Sequence, residues 1–592
     1  AWLLARRIGA TGTIKAGERL TASTASDGWR DQLRARLMAV PASDRQGAIA
    51  ALVVGDDSGL SRGDWQVLQD TGTVHLMVIS GQHIGMLAGL LYGLVALLAR
   101  LGAWPRRLRW LPWACGLALS GALAYGWLAG FEVPVRRACL MVTVVLVWRL
   151  RFRHLGVWLP LLLALDGVLL IDPLVTLQPG FWLSFGAVAV LALAFSGRLG
   201  SWRWWMALPR AQWAATLGLL PLLLALGLPV SASGPLANLL AVPWVSLTVP
   251  FALLGTLLLP LAGVGEALLS VVGYSLALLF DVLAAIANWQ PAWIAVGLPV
   301  WALALIGLGV LLLLLPAGIP LRSLGLLLLL PLVFPPRVEV PDGRAQVWVL
   351  DVGQGLAVLV RTREYALLYD AGPKQGDFDT GERVVVPSLR TLGVTRLDLL
   401  LLSHADNDHS GGAHAVQRLL RVDRVVSGEP SRLAPDLGAE RCESGSSWQW
   451  NDVRFSLWQW QMARDSNQQS CVLQIEANGE RILLTGDIDQ AAERAWLASE
   501  QRTPSHWLLL PHHGSRSSSS EPFLRSVASH AALISRSLHN AFGHPHPSVV
   551  ERLETLNIRA YDTALHGAIR IELGSFSPPR LQRSQRRFWR EK

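Results

Sequence analysis

Long apolar runs separated by short charged intervals fill the first 334 residues, and beyond them the apolar stretches shorten and are broken by turns. Runs long enough to span a bilayer recur near 75–99, 111–130, 133–149, 155–171, 179–196, 211–229, 235–261, 265–288 and 292–315, with a shorter one at 323–334. A spanning helix takes roughly 20 apolar residues. The first nine runs are therefore predicted spans, while the tenth, with an apolar core of about 13 residues or ~20 Å of helix, is marginal. The seventh passes through Pro243, Pro250 and Pro260 and reads as an interrupted helix, of the kind tolerated where it borders protein or a water-filled path. Within 21–74, the stretch from Trp29 to Leu68 sets Arg30, Arg34, Arg36 and Arg45 among apolar positions and reads as an amphipathic surface helix.

Pro335, Pro336 and Pro341 mark a stiff linker over 335–344. After it, strands are predicted near 346–351, 356–361, 365–370, 396–402, 470–476, 481–486, 506–511, 531–536 and 567–573, with helices near 411–421, 489–499 and 547–556. Asn478-Gly479 between two alternating runs predicts a hairpin. The texture is that of a layered α/β domain over 345–577, followed by a flexible basic tail, 578–592.

A chain of 592 residues, 52% apolar, exceeds one domain and is too apolar for an ordinary soluble enzyme. Its charge of +9 suits a phosphate-rich or membrane-surface partner, and positive cytoplasmic loops alone would also produce it. The only lysines are Lys15, Lys374 and Lys592, none within GxxxxGK[ST], so there is no internal P-loop motor. Arginines cluster after the first, third and fifth runs, which makes those loops cytoplasmic and the residues before Thr73 external. Ten crossings would put the C-terminal domain outside as well; nine would put it in the cytoplasm. Cys442 and Cys471 form either a disulfide or two buried thiols, according to the compartment. Opening at Ala1 without a signal-peptide pattern, the chain reads as the continuation of a longer protein.

The densest chemistry is Ser403-His404-Ala405-Asp406-Asn407-Asp408-His409-Ser410-Gly411-Gly412, directly after an apolar strand. A tight turn there lets His404, Asp406, Asp408 and His409 converge, and imidazole with carboxylate suits Zn²⁺ or Mn²⁺, as one or two ions. Two more strands end the same way, in Asp487 and in His512-His513, and Asp370 closes another. With Asp487 shared between two ions and His512 as a late ligand, the expected reaction is in-line attack on phosphorus. Asp408, His513, His544 and His546 are the catalytic candidates, and Ser470, Ser515 and Gln354 the substrate-binding ones. In the membrane part, His83, Arg136, Arg137 and Asp166 are candidates for lining a polar route, since ionisable groups there are costly.

These motifs over about 345–575 resemble the metallo-β-lactamase superfamily, which implies an αββα sandwich. The resemblance has two departures: Asp406 stands where the hallmark HxHxDH has its second histidine, and Asn467 or Ser470 occupies the region of the usual third histidine. His75 through Gly85, Gly180-Phe181-Trp182-Leu183-Ser184-Phe185, Pro235-Leu236-Ala237-Asn238-Leu239 and Asp351-Val352-Gly353-Gln354-Gly355 resemble the ComEC family of DNA-internalisation proteins, from about residue 30 to 575. Leu356 departs from the acid that the family commonly carries there.

The resemblance implies a polytopic α-helical domain in the inner membrane over 75–334, conducting single-stranded DNA from a double-stranded source and surrounded by lipid. It also implies a hydrolase domain that degrades the strand left behind, an OB-like domain whose end is residues 1–20, and, as partners, a DNA receptor and a separate ATPase. Two other readings stand beside it: a membrane-anchored hydrolase of a lipid or small phosphodiester, and a DNA channel whose hydrolase-like domain is inert.

Overall fold

The computed structural model describes residues 28–583, apart from 152–155, 196–203, 262, 291, 293–296, 317, 337–338 and 377. The segment expected at 1–20 and the last residues of the basic tail fall outside these. The chain divides into two compact units, Ala1–Pro336 and Arg337–Lys592, at the proline-rich linker.

The single amphipathic helix expected over 29–68 is instead three helices, Trp29–Met38, Gln46–Val54 and Arg62–Asp70. The reason lies in Ala48 through Val54, a run without a polar face, which is buried and packs on the helices Gly234–Leu257 and Val264–Trp289. Gly55, at φ +79°, ends it. Ser61 and Asp64 start the next helix with a capping box. The arginines serve this packing: Arg30 Nη2 donates to the Val54 carbonyl at 2.7 Å, and Arg45 pairs with Asp64 at 2.6 Å.

Among the described residues, four helices are long and apolar enough to cross a membrane, Gly81–Arg100, Trp110–Leu128, Gly234–Leu257 and Val264–Trp289. The runs near 155–171, 179–196 and 292–315 give helices of 14, 17 and 15 residues. At 1.5 Å per residue these reach roughly 21 to 26 Å, short of the ~30 Å hydrocarbon core. The tenth run splits into Leu324–Leu328 and Leu330–Val333, with Pro331 in the first turn of the second, and supplies no span by length. The seventh run corrects the expectation of a broken helix. Gly234–Leu257 is continuous through Pro243 and Pro250, its small residues Ala237, Ala241 and Ala252 buried. Each proline removes one backbone donor, and the packed neighbouring helix holds the rest in register.

The second unit is an αββα sandwich. One sheet runs Glu440–Arg441, Val425–Ser427, Leu399–Leu402, Ala366–Tyr369, Val358–Arg361, Ala345–Val349, Ile569–Leu573, Arg580–Leu581; the other runs Ser447–Trp450, Val453–Trp458, Val472–Ala477, Glu480–Leu484, Trp507–Leu509, Ala531–Ile534, Arg559–Asp562. Alternation along the strands puts Val347, Val358, Leu401, Phe455, Ile475 and Leu509 in the core between the sheets. Helices Val386–Thr391 and Ala413–Leu419 cover one outer face, and Gln490–Leu497, Glu521–Val527 and Pro547–Thr555 the other. In each sheet one half is antiparallel and the other parallel. The strands ahead of His404, Asp487 and His512 belong to the parallel halves, so their ligands emerge at carboxyl ends. The expected hairpin forms at Asn478 and Gly479, with φ of +46° and +81°.

Cys442 and Cys471 form a disulfide across 29 residues of sequence, inside the inter-sheet core. Closing a loop of that length restricts the unfolded chain by about 3–4 kcal/mol. Thiol reductant, or Cys442→Ser, is expected to lower the unfolding free energy of this unit by that amount in urea melts. An unchanged midpoint would mean that the bridge contributes nothing. The tail is also less free than expected: Arg580 and Leu581 pair with the Ile569–Leu573 strand, and Arg583 reaches the Asp351 carboxylate.

Candidate metal centre

The ligand atoms of Asp408, His409, Asp487 and His513 all lie within 4.8 Å of one another. His409 Nε2 is 3.1 Å from Asp487 Oδ1, and His513 Nε2 is 3.4 Å from Asp408 Oδ2. All but Asp408 are buried. Each imidazole is fixed from behind. Asp370 Oδ2 meets His409 Nδ1 at 2.7 Å and the Ser535 carbonyl meets His513 Nδ1 at 2.8 Å; both are acceptors, so each Nδ1 carries the hydrogen. That aims the Nε2 lone pairs into the cluster, where the Nε2 atoms of His404, His409 and His513 are buried without a hydrogen-bond partner. Buried nitrogens orphaned around carboxylates are a donor set that fits Zn²⁺ or Mn²⁺.

The electrostatics agree. Burial opposes charge on both partners, yet Asp487 and Asp370 hold His409 well above the ordinary imidazole range, and His409 and His513 hold Asp487 well below the carboxylate range.

Backbone geometry supports the aim of these side chains. Asp370, His512 and His513 have φ of +60°, +51° and +54°, a region that non-glycine residues seldom occupy outside functional sites. Gly355, at φ +143°, is held against the Asp408 loop: a Cβ there would lie 2.5 Å from the Asp408 carbonyl oxygen. The Leu356 amide donates to that same oxygen at 3.1 Å. The glycine-rich turn thus braces Asp408, while Gln354 accepts from the Ser537 amide at 3.4 Å.

His404 and Asp406 sit beside the four-residue group. The two rings of His404 and His409 are 4.3 Å apart, and His404 Nε2 is 3.6 Å from Asp406 Oδ2. His404, Ser466 and Arg432 hold the Asp406 carboxyl down to about 2 against partial burial. The sequence reading missed Glu429, a buried carboxylate that accepts from the Ala405 amide at 3.0 Å and from the Ser466 hydroxyl. Nothing in Ser427-Gly428-Glu429-Pro430 signals that role, which arises from long-range pairing.

Several candidates change role. His513, expected to handle phosphate or the leaving group, lies in the ligand group, whereas His512 stands at the rim, a quarter exposed and 3.7 Å from Asp487 Oδ2. Ser470, expected to bind substrate, is fully buried with its hydroxyl accepting from the Asp487 amide at 3.1 Å. His546 accepts from the Ser548 amide and caps the Pro547–Thr555 helix, a structural task. Burial and the neighbouring His512 and His513 push His544 down to about 4. Ser515 stays at the surface beside Ser517. In the membrane unit, His83 and Arg137 are buried, whereas Arg136 and Asp166 are exposed.

Residues 350–537 match the family model of the metallo-beta-lactamase superfamily, and residues 52–318 match that described as competence protein. Competence protein ComA of Neisseria gonorrhoeae is 37% identical over 589 residues, 97% of this chain and 82% of that protein. The chain belongs to the ComEC family of competence proteins. Two further relatives agree on nearly the whole length. Recombination protein 2 of Haemophilus influenzae is 30% identical over 99% of this chain and 78% of its own. ComE operon protein 3 of Bacillus subtilis is 30% identical over 90% and 73%. Family membership spans both units, so the sandwich and the helical unit belong to one competence protein.

Proposed function

We propose that this competence protein takes part in DNA uptake for transformation, conducting single-stranded DNA across the inner membrane. Its sheet-rich unit acts as a metal-dependent phosphodiesterase on the strand that stays outside. The observation that carries the hydrolytic half is the group of Asp408, His409, Asp487 and His513, whose buried Nε2 atoms face the two carboxylates without a hydrogen bond. The same orphaned nitrogens argue against an inert domain, despite Leu356 and the missing third histidine.

When bound, Zn²⁺ or Mn²⁺ supplies Lewis-acid polarisation of a phosphoryl oxygen and charge neutralisation. The chain does the rest. Asp370 and Ser535 orient the two imidazoles, Ser470 and the Gly355 turn fix Asp487 and Asp408, and His512 and Ser515 line the rim where phosphate oxygens arrive. The Cys442–Cys471 disulfide supports an external position for this unit, because such bridges persist in oxidising compartments. With the tenth run too short to cross, that side requires an even number of crossings among the first nine runs, several of which form helices shorter than a span. DNA movement is assigned to a separate ATPase, since the sequence carries no GxxxxGK[ST] motif, and capture to the receptor that the family resemblance implies.

Disrupting the gene in its competent host is expected to abolish transformation. Purified full-length protein is expected to cleave labelled oligonucleotides with Mn²⁺ or Zn²⁺ and to lose that activity in chelator. Normal transformation in the disruptant would overturn the transport reading, and metal-independent or absent cleavage the hydrolytic one. Cysteine in place of Lys592, probed with an impermeant maleimide in intact cells, tests the side: labelling is expected.

A further inference from the structure

We propose that Arg137 forms a phosphodiester-binding site on the nucleic-acid route through the helical unit, occupied by the backbone of the single strand; this rests on the transport reading above. Arg137 lies on the buried face of the helix Val133–Arg151, beside Ala138 and Cys139, with 5% of its surface exposed. Its Nε and Nη1 have no hydrogen-bond partner, and it makes no ion pair among the described residues. A guanidinium keeps its charge at any physiological pH, so this one is a buried cation without an anion.

The guanidinium faces the start of a second helix. A Cβ on Gly180, in the first turn of the 17-residue helix Pro179–Phe195, would lie 3.4 Å from Arg137 Nη2 and 3.9 Å from Nη1. The glycine leaves that approach open, and Gly180 is itself exposed. Helix N-termini and guanidinium forks both favour phosphate oxygens. The adjoining helix Gly81–Arg100, whose Gly81 packs against Ala138 with a would-be Cβ contact of 3.7 Å, carries a further unpartnered donor of this unit. There His83 is fully buried, and its Nδ1 accepts from the Ser80 amide at 3.2 Å. The proton is therefore on Nε2, which has no acceptor.

Donors without acceptors select an anion that only accepts, and a phosphodiester is that ligand. A lipid headgroup offers the same phosphodiester chemistry, and the two sources are separated by the test below.

The test uses the unmutated full chain in phosphatidylcholine nanodiscs, so it does not depend on a variant folding. Phenylglyoxal modification of Arg137 is followed by mass spectrometry with and without a single-stranded oligonucleotide, whose binding is measured separately by fluorescence anisotropy. At ten times the dissociation constant, labelling of Arg137 is expected to slow by roughly tenfold, while exposed Arg136 labels at an unchanged rate. If the oligonucleotide binds and Arg137 labels equally fast, or if Arg137 never labels, the proposal fails and the transport reading stands. Labelling that begins only after delipidation assigns the site to a headgroup and likewise overturns it. Absence of any oligonucleotide binding defeats the transport reading, and this proposal with it.

Discussion

Asp487→Ala is expected to lower metal-dependent kcat/KM for oligonucleotide cleavage by at least ~10³-fold, equivalent to about 4 kcal/mol of transition-state stabilisation. Asp487 stands between His409 Nε2 at 3.1 Å and His512 Nε2 at 3.7 Å, with His513 Nε2 at 3.9 Å. No other buried carboxylate reaches both sides of the ligand group among the described residues. Its loss removes the negative charge that compensates both cation and imidazoles. Asp408→Ala is expected to fall nearly as far, because Asp408 closes the group on the exposed side. His512→Gln, at the rim, serves as the contrast and is expected to cost only about tenfold. The variants are compared by steady-state cleavage, with bound metal counted by atomic absorption. Should Asp487→Ala retain both its metal and its rate, the cluster is not the reaction centre. Should His512→Gln lose as much as Asp487→Ala, His512 is the ligand that the sequence pattern favours.

That contrast marks the limit of what a one-dimensional pattern conveys. The apolar strands ending in His404, Asp487 and His512-His513 are readable because a parallel strand with a ligand at its carboxyl end leaves an abrupt change from aliphatic to polar residues. The choice between His512 and His513 is not readable, since it depends on two consecutive left-handed backbone angles that send the first ring to the rim and the second inward. The placement of Ser470 and His546 is equally unreadable from sequence. Both have ligand-like chemistry, and both spend it on a backbone amide. In the helical unit, the apolar runs predict where helices fall but not which of them reach spanning length, and a run such as Ala48 to Val54 carries no sign of whether lipid or protein will cover it. The short strand Val425–Ser427 is not legible because two-sided burial erases alternation, whereas Ser447–Trp450 does alternate but is too short to signal a strand by itself.

Asp370 is expected to be the most consequential residue outside the ligand group. Wholly buried at φ +60°, it accepts from the Ser403 amide at 2.6 Å, the Ser403 hydroxyl at 2.8 Å and His409 Nδ1 at 2.7 Å. Asparagine keeps the shape but replaces one carboxylate oxygen with a donor. That either repels the His409 N–H or turns the ring's tautomer, pointing a proton where the lone pair should be. Asp370→Asn is therefore expected to weaken metal binding by about 10–100-fold, read by titration with a chromophoric chelator, with His409 still in place. Asp370→Ala goes further, leaving the Ser403 amide and hydroxyl unsatisfied and His409 without its supporting charge, at an expected cost of about 3–5 kcal/mol in urea unfolding. The two variants separate orientation from stability. If Asp370→Asn binds metal as tightly as the native chain while Asp370→Ala is merely less stable, the carboxylate holds the loop together and does not tune His409.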